Sequence, residues 1–406
     1  MNLGDVIHRA VTDEMFVARL RKEPGAALAT VGMAHDTEYI EAIQPLFQSS
    51  RGWKGLCSPS LTITTKTMTW TKLIPDFLPE VDTMWTGAKV KPTYAGAMYS
   101  VGEPKTPKVP EQSDSSLQQT LLGLCCEAAG GNAQRAKAIT SAWGLLYAAL
   151  HLFDDVEDQD LTDEPWARWG AGPAINIATG LLTSSSMALE NLEQDTISAQ
   201  AARAIRHDFY QTILTMCAGQ HDDLTLVEPS IEQCWQIAAA KSGAFFALGC
   251  RTGARLAIDD PARIDWFGQI GQHIGMLVQI SDDVQDLWAE GKRRSDLIAG
   301  QRWTLPIAYA MSNLPETERG RLQEYVRLAA SDATAEAAAR RLVIKSGAIL
   351  YLVAEARRYV YKARCLLLQA VAPSAARDAL LLLLATSVPM GMGGSGKDQN
   401  IRVRAL

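Results

Sequence analysis

The chain has 406 residues, of which 47% are hydrophobic and 21% charged; this is enough apolar content for one large helical core or two domains, and too much for compositional disorder. A formal net charge of −6 with no long basic run excludes the electrostatic footprint of a nucleic-acid binder and leaves small molecules or proteins as partners. The seven cysteines are odd in number, lack C-x-x-C spacing and include the adjacent Cys125 and Cys126, which speaks against a disulfide framework or a zinc site and for a reducing, cytoplasmic compartment.

Residues 1–47 read as helical in two pieces, with Val6, Ile7, Ala10, Val11 and Leu20 as an apolar face and KEPGAAL as a break. The opening MNLGDVIHRAVTDEMF lacks the basic and apolar regions of a secretory signal. Residues 48–112 change character, with prolines at 59, 75, 79, 92, 104, 107 and 110 and the run LTITTKTMTWTKL, so they predict an irregular appendage ending in the linker VGEPKTPKVPEQSD. From Leu117 onward the sequence is rich in Ala and Leu at helical spacing without strand alternation, which predicts an all-α domain over 113–406. No apolar run reaches the roughly 18 residues that cross a bilayer, and ALLLLLATSV reads as a core helix.

Within that domain LHLFDDVEDQD places Asp154, Asp155 and Asp158 behind an apolar run, and MLVQISDDVQDLW repeats the pattern with Asp282, Asp283 and Asp286. Residues four apart on a helix share a face, and like charges there cost a few tenths of a kcal/mol, roughly, in an isolated helix. A compensating cation is implied, and magnesium, a hard ion that bridges carboxylates to phosphate oxygens, fits best. One such cluster is as readily a solvated helix end; two, each behind an apolar helix, are far rarer. Facing one another across a bundle they would cage divalent ions and one polyphosphate. The chemistry implied is ionisation of a diphosphate ester, leaving a carbocation in an apolar pocket.

Residues 115–390 resemble the polyprenyl synthase family of trans-isoprenyl diphosphate synthases, whose motifs occur here in order. GAGPAINIATGLL is similar to the segment that opens the helix after the first motif. MCAGQHDDL resembles the Gly-Gln-x-x-Asp element, which would put Gln220 in the cavity. AAAKSGAFFALGCRTGARLA resembles the Lys-Thr-Gly helix, giving Lys241 to the diphosphate, with Ser242 where threonine is usual. GQHIGMLVQISDDVQD matches the second acidic motif and includes Gln279. In GKRRSDLIAGQRWTLPIAYA, Gln301 and Arg302 stand where lysine is usual, and Lys292 or Arg302 would supply a cation over the phosphates. The resemblance implies a class I isoprenoid synthase bundle with a central cavity. It also implies three Mg2+ ions, two on Asp154, Asp155 and Asp158 and the third on Asp282 and Asp286, with Asp283 among the catalytic acids. It places chain-length control at Ala149 and Leu150; neither is aromatic, so the pocket would admit a farnesyl-length chain or longer unless Tyr147 or Phe153 blocks it. Phe245, Phe246 and Trp288 are candidate pocket walls, or simply core. His151 reads as a bystander, and His221 as a lesser candidate for the cavity.

Two departures redirect the reading. The Gly-Gly-Lys-x-Arg-Pro element for isopentenyl diphosphate should fall in SDSSLQQT, which has no basic residue. After the first motif, LTDEPWARWG offers one Arg168 beside Asp163 and Glu164, which would repel a second diphosphate. An allylic prenyl diphosphate is therefore expected to be ionised without isopentenyl diphosphate, and its own double bonds or water would quench the cation, as in terpene synthases. Alternatives are a tryptophan on a peptide, ordinary chain elongation, or a non-catalytic synthase subunit; a homodimer is a further expectation. The peptide alternative draws on VIHRAVTDEMFVARLRKEPGAALATVGM, which resembles leaders of ribosomally made, modified peptides and is followed by Trp53, Cys57, Trp70 and Trp85. The competing reading is a helical arm packed on the main domain.

Overall fold

The computed structural model describes residues 3–33, 37–48, 121–158, 170–190, 197–287 and 303–387, with Leu192, Ser295 and Leu297. The expectations for residues 49–120, and those for Arg168, Trp288, Lys292, Gln301 and Arg302, lie outside the described residues. All regular structure among those described is helical.

The N-terminal part forms four short helices where the sequence reading has two pieces: α1 (Leu3–Thr12), α2 (Glu14–Lys22), α3 (Pro24–Ala29) and α4 (Thr37–Gln48). The extra boundaries have local causes. Asp13 accepts the Phe16 N–H at 3.0 Å and starts α2 as its N-cap, and Pro24, whose missing N–H costs nothing in a first turn, restarts the chain as α3.

The main body follows as α5 (Leu121–Ala128), a 3-10 turn (Ala133–Ala136), α6 (Lys137–Glu157), α7 (Ala171–Ala188), α8 (Ala199–Thr225), α9 (Ile231–Ala238), a π turn (Ala239–Gly243), α10 (Ala244–Arg255) and α11 (Pro261–Asp286). It ends with α12 (Leu305–Asn313), α13 (Glu316–Ala329), α14 (Ala333–Lys345), α15 (Ala348–Ala370) and α16 (Ala375–Thr386). Side-chain caps set many starts: Ser198 for α8, Ser230 with Gln233 as a capping box for α9, Asp260 ahead of Pro261 for α11, Asp332 for α14 and Ser374 for α16. Each such cap stabilises its helix by about 1 kcal/mol.

The core is built from α6 against α7, α10 against α11, and α11 against α15. Trp143 of α6 is fully buried, stacks on Phe245 of α10 at 4.7 Å and donates its indole N–H to the Phe245 carbonyl at 3.2 Å, so the two helices are registered by one side chain. The N-terminal helices pack on α15 and α12. Tyr309 donates to the Gly4 carbonyl at 3.2 Å, and Glu38 accepts from Arg358 and Lys362 at 3.0 Å each. Gly347 has φ +86°, and a Cβ there would meet the Val11 side chain at 2.8 Å, so glycine is needed for both the turn and the approach of α1. Among the described residues no helix is long and apolar enough to cross a membrane.

Candidate active site

Both aspartate motifs finish a long helix: Asp154 and Asp155 lie in the last turn of α6 with Asp158 as its C-cap, and Asp286 is the final residue of α11. The Asp158 N–H donates to the Asp154 carbonyl at 2.8 Å, so the four-residue spacing remains helical. A carboxylate at a helix C-terminus faces the negative end of the macrodipole, an unfavourable placement of about 0.3–1 kcal/mol per charge. Three helices direct such ends to this region, because α8 contributes Gln220 and Asp223 in its last turns. Helix ends alone would not assemble this charge; something cationic must offset it.

Lys241 is the cation that the structure ties to these acids. Its ammonium donates to Asp223 at 2.8 Å and to Asp154 at 3.0 Å, joining α8 to α6. Burial opposes its charge, but the Asp154 and Asp223 carboxylates outweigh that and hold the lysine above its ordinary range. Lys241 stands in the π turn between α9 and α10, where one extra residue widens the helix and swings the side chain off the regular helical position. The wide turn fits because its neighbours are glycines. A Cβ on Gly219 would meet that of Ala240 at 2.7 Å, and one on Gly275 would run into the Ser242 carbonyl.

From the π turn the contacts continue to the second motif. Ser242 donates to Gln279 at 2.7 Å, and Gln279 donates to Asp283 at 2.7 Å. The two acidic helices are thus linked through two consecutive residues, Lys241 and Ser242, and the Asp283 carboxyl senses both Asp286 and Asp223. The three acids of the second motif face different surroundings. Asp282 is exposed and Asp286 half-buried, whereas Asp283 is 4% exposed and accepts the Leu305 N–H at 2.9 Å. Burial pushes the Asp283 carboxyl up to about 7, against the lowering influence of the Gln279 and Leu305 bonds. Sequence reading placed Asp283 with the catalytic acids; in the structure it fastens the start of α12 to α11.

In the first motif the Asp154 side chain is 38% exposed and that of Asp155 is 14% exposed, with His151 3.9 Å from Asp155. Gln220 donates to Asp158 at 3.4 Å, and its carbonyl oxygen is buried with no hydrogen-bond partner among the described residues. His221 is exposed. Ala149 is fully buried and Leu150 half-buried. Tyr147, Phe245 and Phe246 gather around Trp143, with Tyr147 and Phe245 5.7 Å apart and Phe245 edge-on to Phe246 at 5.4 Å. Sequence reasoning passed over Asp223 as a site residue. The signal was present, since Asp223 closes the same Gly-Gln-x-x-Asp element one turn after Gln220.

The donor set is all oxygen, which suits a hard divalent ion. Among the described residues no three His, Cys, Asp or Glu side chains converge as a ready-made coordination sphere. Magnesium does not need one, because it keeps several waters and takes one or two carboxylates together with substrate phosphates.

Comparison with known proteins agrees with this architecture. The chain is 27% identical over 215 residues to the geranylgeranyl diphosphate synthase of Mycobacterium tuberculosis, a match covering 50% of this chain and 60% of that enzyme's length. It is 30% identical over 157 residues to the tryptophan prenyltransferase ComQ of Bacillus spizizenii, covering 38% of this chain and 51% of that one. The structure of geranylgeranyl pyrophosphate synthetase from Pyrococcus horikoshii superposes with a TM-score of 0.61 at 23% identity, covering 79% of this chain and 93% of its own. Residues 116–343, more than half of the chain, match the polyprenyl synthetase family model, and the chain belongs to that family.

Proposed function

We propose that this chain binds an allylic prenyl diphosphate with magnesium and ionises it without isopentenyl diphosphate as partner, working as a terpene synthase-like enzyme or a non-elongating prenyltransferase. One observation carries the reading: the order of groups along α6 and α10. Asp154 is bonded to Lys241; one turn beyond Lys241, Phe245 packs on Tyr147 and Trp143, which precede Asp154 on its own helix. At about 1.5 Å per residue, Tyr147 and Trp143 stand roughly 10 and 16 Å along the helix from Asp154. Charge thus lies at one end and an aromatic wall at the other, as a diphosphate head with an apolar tail requires.

Asp154, Asp155 and Asp158 would hold ions on one side, and Asp282 with Asp286 on the other. When bound, magnesium neutralises the charge that builds on a departing diphosphate. The chain's own residues do the remainder. Lys241 brings a permanent positive charge to the diphosphate end, and the Asp154 and Asp223 carboxylates keep it protonated. Gln220 and Gln279 orient the acids beside them. Phe245 and Tyr147 would form the apolar wall that keeps water from the prenyl chain. Asp283 keeps α12 in register with the acidic end of α11.

A second reading has a tryptophan as acceptor, on a leader-bearing peptide or in the N-terminal region of this same chain. The likeness to the Bacillus tryptophan prenyltransferase favours it. Both readings are tested by incubating the full chain with magnesium and geranyl, farnesyl or geranylgeranyl diphosphate, with and without isopentenyl diphosphate. A hydrocarbon or alcohol is the expected product. A mass gain of one prenyl group on the protein selects the second reading. A longer diphosphate would mean chain elongation, and absence of pyrophosphate release under every condition would mean a non-catalytic subunit.

A further inference from the structure

We propose that Trp235 is a positioning residue for Lys241 and that the N-terminal helices set it, so that docking of residues 3–48 on the bundle is felt as affinity for the prenyl diphosphate. The inference rests on the reading that Lys241 meets the diphosphate. Trp235 lies on α9, an eight-residue helix that runs directly into the π turn bearing Lys241. α9, the π turn and α10 form one continuous helix, and its wide turn is the point where a shift at Trp235 can be taken up by Lys241.

The contacts of Trp235 lead to both ends of the N-terminal helices. On one route the Trp235 indole N–H donates to the Tyr351 hydroxyl at 2.8 Å; Tyr351 stacks on Tyr309 at 4.4 Å, and Tyr309 donates to the Gly4 carbonyl in the first turn of α1. On the other route the Trp235 ring meets Tyr359 at 6.0 Å, the Arg358 guanidinium lies 5.3 Å from the Tyr359 ring, and Arg358 donates to Glu38 in the first turn of α4. The second route is held under tension of charge. Glu355 is buried and bonded to Arg358 at 2.7 Å, so moving Glu38 away alters the partners of a cation that a buried carboxylate also needs. Gly4 and Glu38 thus converge on one indole six positions before Lys241. Among the described residues α9 is also anchored through Cys234, whose thiol donates to the Trp303 carbonyl at 3.2 Å just ahead of the helix that Asp283 fastens.

The test compares four full-length variants with the wild type. Ile7→Asp places a charge at a fully buried position of α1 and releases the N-terminal helices; Glu38→Gln weakens the α4 contact alone. Trp235→Leu removes the ring, and Trp235→Phe keeps a ring but loses the N–H. Pyrophosphate release from farnesyl diphosphate gives kcat and KM, and hydrogen exchange follows residues 3–48 and 231–243. Ile7→Asp is expected to raise KM about tenfold with kcat within about twofold, while exchange rises in both segments. Trp235→Leu should reproduce the KM effect and the exchange in 231–243 while residues 3–48 stay protected. Trp235→Phe and Glu38→Gln should fall between these and the wild type. Released N-terminal helices with unchanged KM, or Trp235→Leu with unchanged exchange in 239–243, overturns the proposal, and a fall in kcat tracking melting temperature at constant KM would mark a merely structural role. If the wild type itself releases no pyrophosphate, the proposed function fails, and the exchange response of 231–243 still decides the coupling.

Discussion

Two polar clusters in this molecule are built on opposite principles. The ends of α6, α8 and α11 carry Asp154, Asp155, Asp158, Asp223, Asp282 and Asp286, several of them exposed or half-buried, and Lys241 bonds Asp154 and Asp223 among them. On α15, Glu38 and Glu355 meet Arg358 and Lys362, two acids against two bases, with the Glu355 and Arg358 side chains only 6% and 17% exposed. The first arrangement accumulates like charge where helix dipoles already disfavour it, and the second balances charge where water is scarce. A cluster that serves only stability has no reason to resemble the first. An excess of acids of this kind is what the proposed metal-bridged diphosphate would require.

Asp154→Asn removes an acid assigned to the reaction; pyrophosphate release should fall about 10²- to 10³-fold, while the melting temperature stays nearly unchanged, because relieved like-charge repulsion offsets the weakened bond to Lys241, which Asp223 still holds. Arg358→Met removes the base that Glu355 needs, and the opposite pattern is expected. Unfolding titration should show a loss of about 3 kcal/mol, with any catalytic change confined to KM. Asp283 distinguishes the two principles inside one motif. Asp283→Ala strands the Leu305 N–H and should cost about 1–3 kcal/mol, whereas Asp283→Asn keeps an acceptor there and should be close to neutral. Equal losses in both variants would remove the anchoring role.

Smaller effects sharpen the picture. Tyr147→Ala takes the ring from the aromatic wall and should shift the preferred prenyl diphosphate toward a longer chain by about 5- to 30-fold in kcat/KM, about 1–2 kcal/mol of discrimination. His273, beside Tyr359 on the balanced side, is held down to about 4 by burial, with Lys362 and Arg358 adding to the effect. A histidine whose folded pKa is depressed contributes stability above its unfolded value, and that contribution is lost as pH falls from about 6.5 toward 4. Melting temperatures across that window should decline in the wild type and decline less in His273→Gln.

How much of this was legible depends on the distance over which each feature is encoded. The all-α fold and the four-residue spacing of Asp154 and Asp158 are local, because helical periodicity determines them, whereas Gln220, Lys241 and Gln279 were placed by the family resemblance, since Lys241 lies 87 residues from Asp154 and Gln220 62 from Asp158. The π turn at Ala239–Gly243 has no sequence periodicity of its own; it exists because Gly219 and Gly275 on two other helices leave room for it. The inward course of Asp283 depends on Leu305, 22 residues away, and the Trp235 contact with Tyr351 spans 116 residues. The sequence favoured a helical arm packed on the main domain over a leader, and the structure shows those helices packed on the bundle; their contacts were not legible, because Tyr309 and Gly4 are 305 residues apart.

The most direct measurement is the steady-state rate of pyrophosphate release from farnesyl diphosphate and magnesium, taken with and without isopentenyl diphosphate. Release at the same rate in both is expected. Release that begins only when isopentenyl diphosphate is added would contradict it.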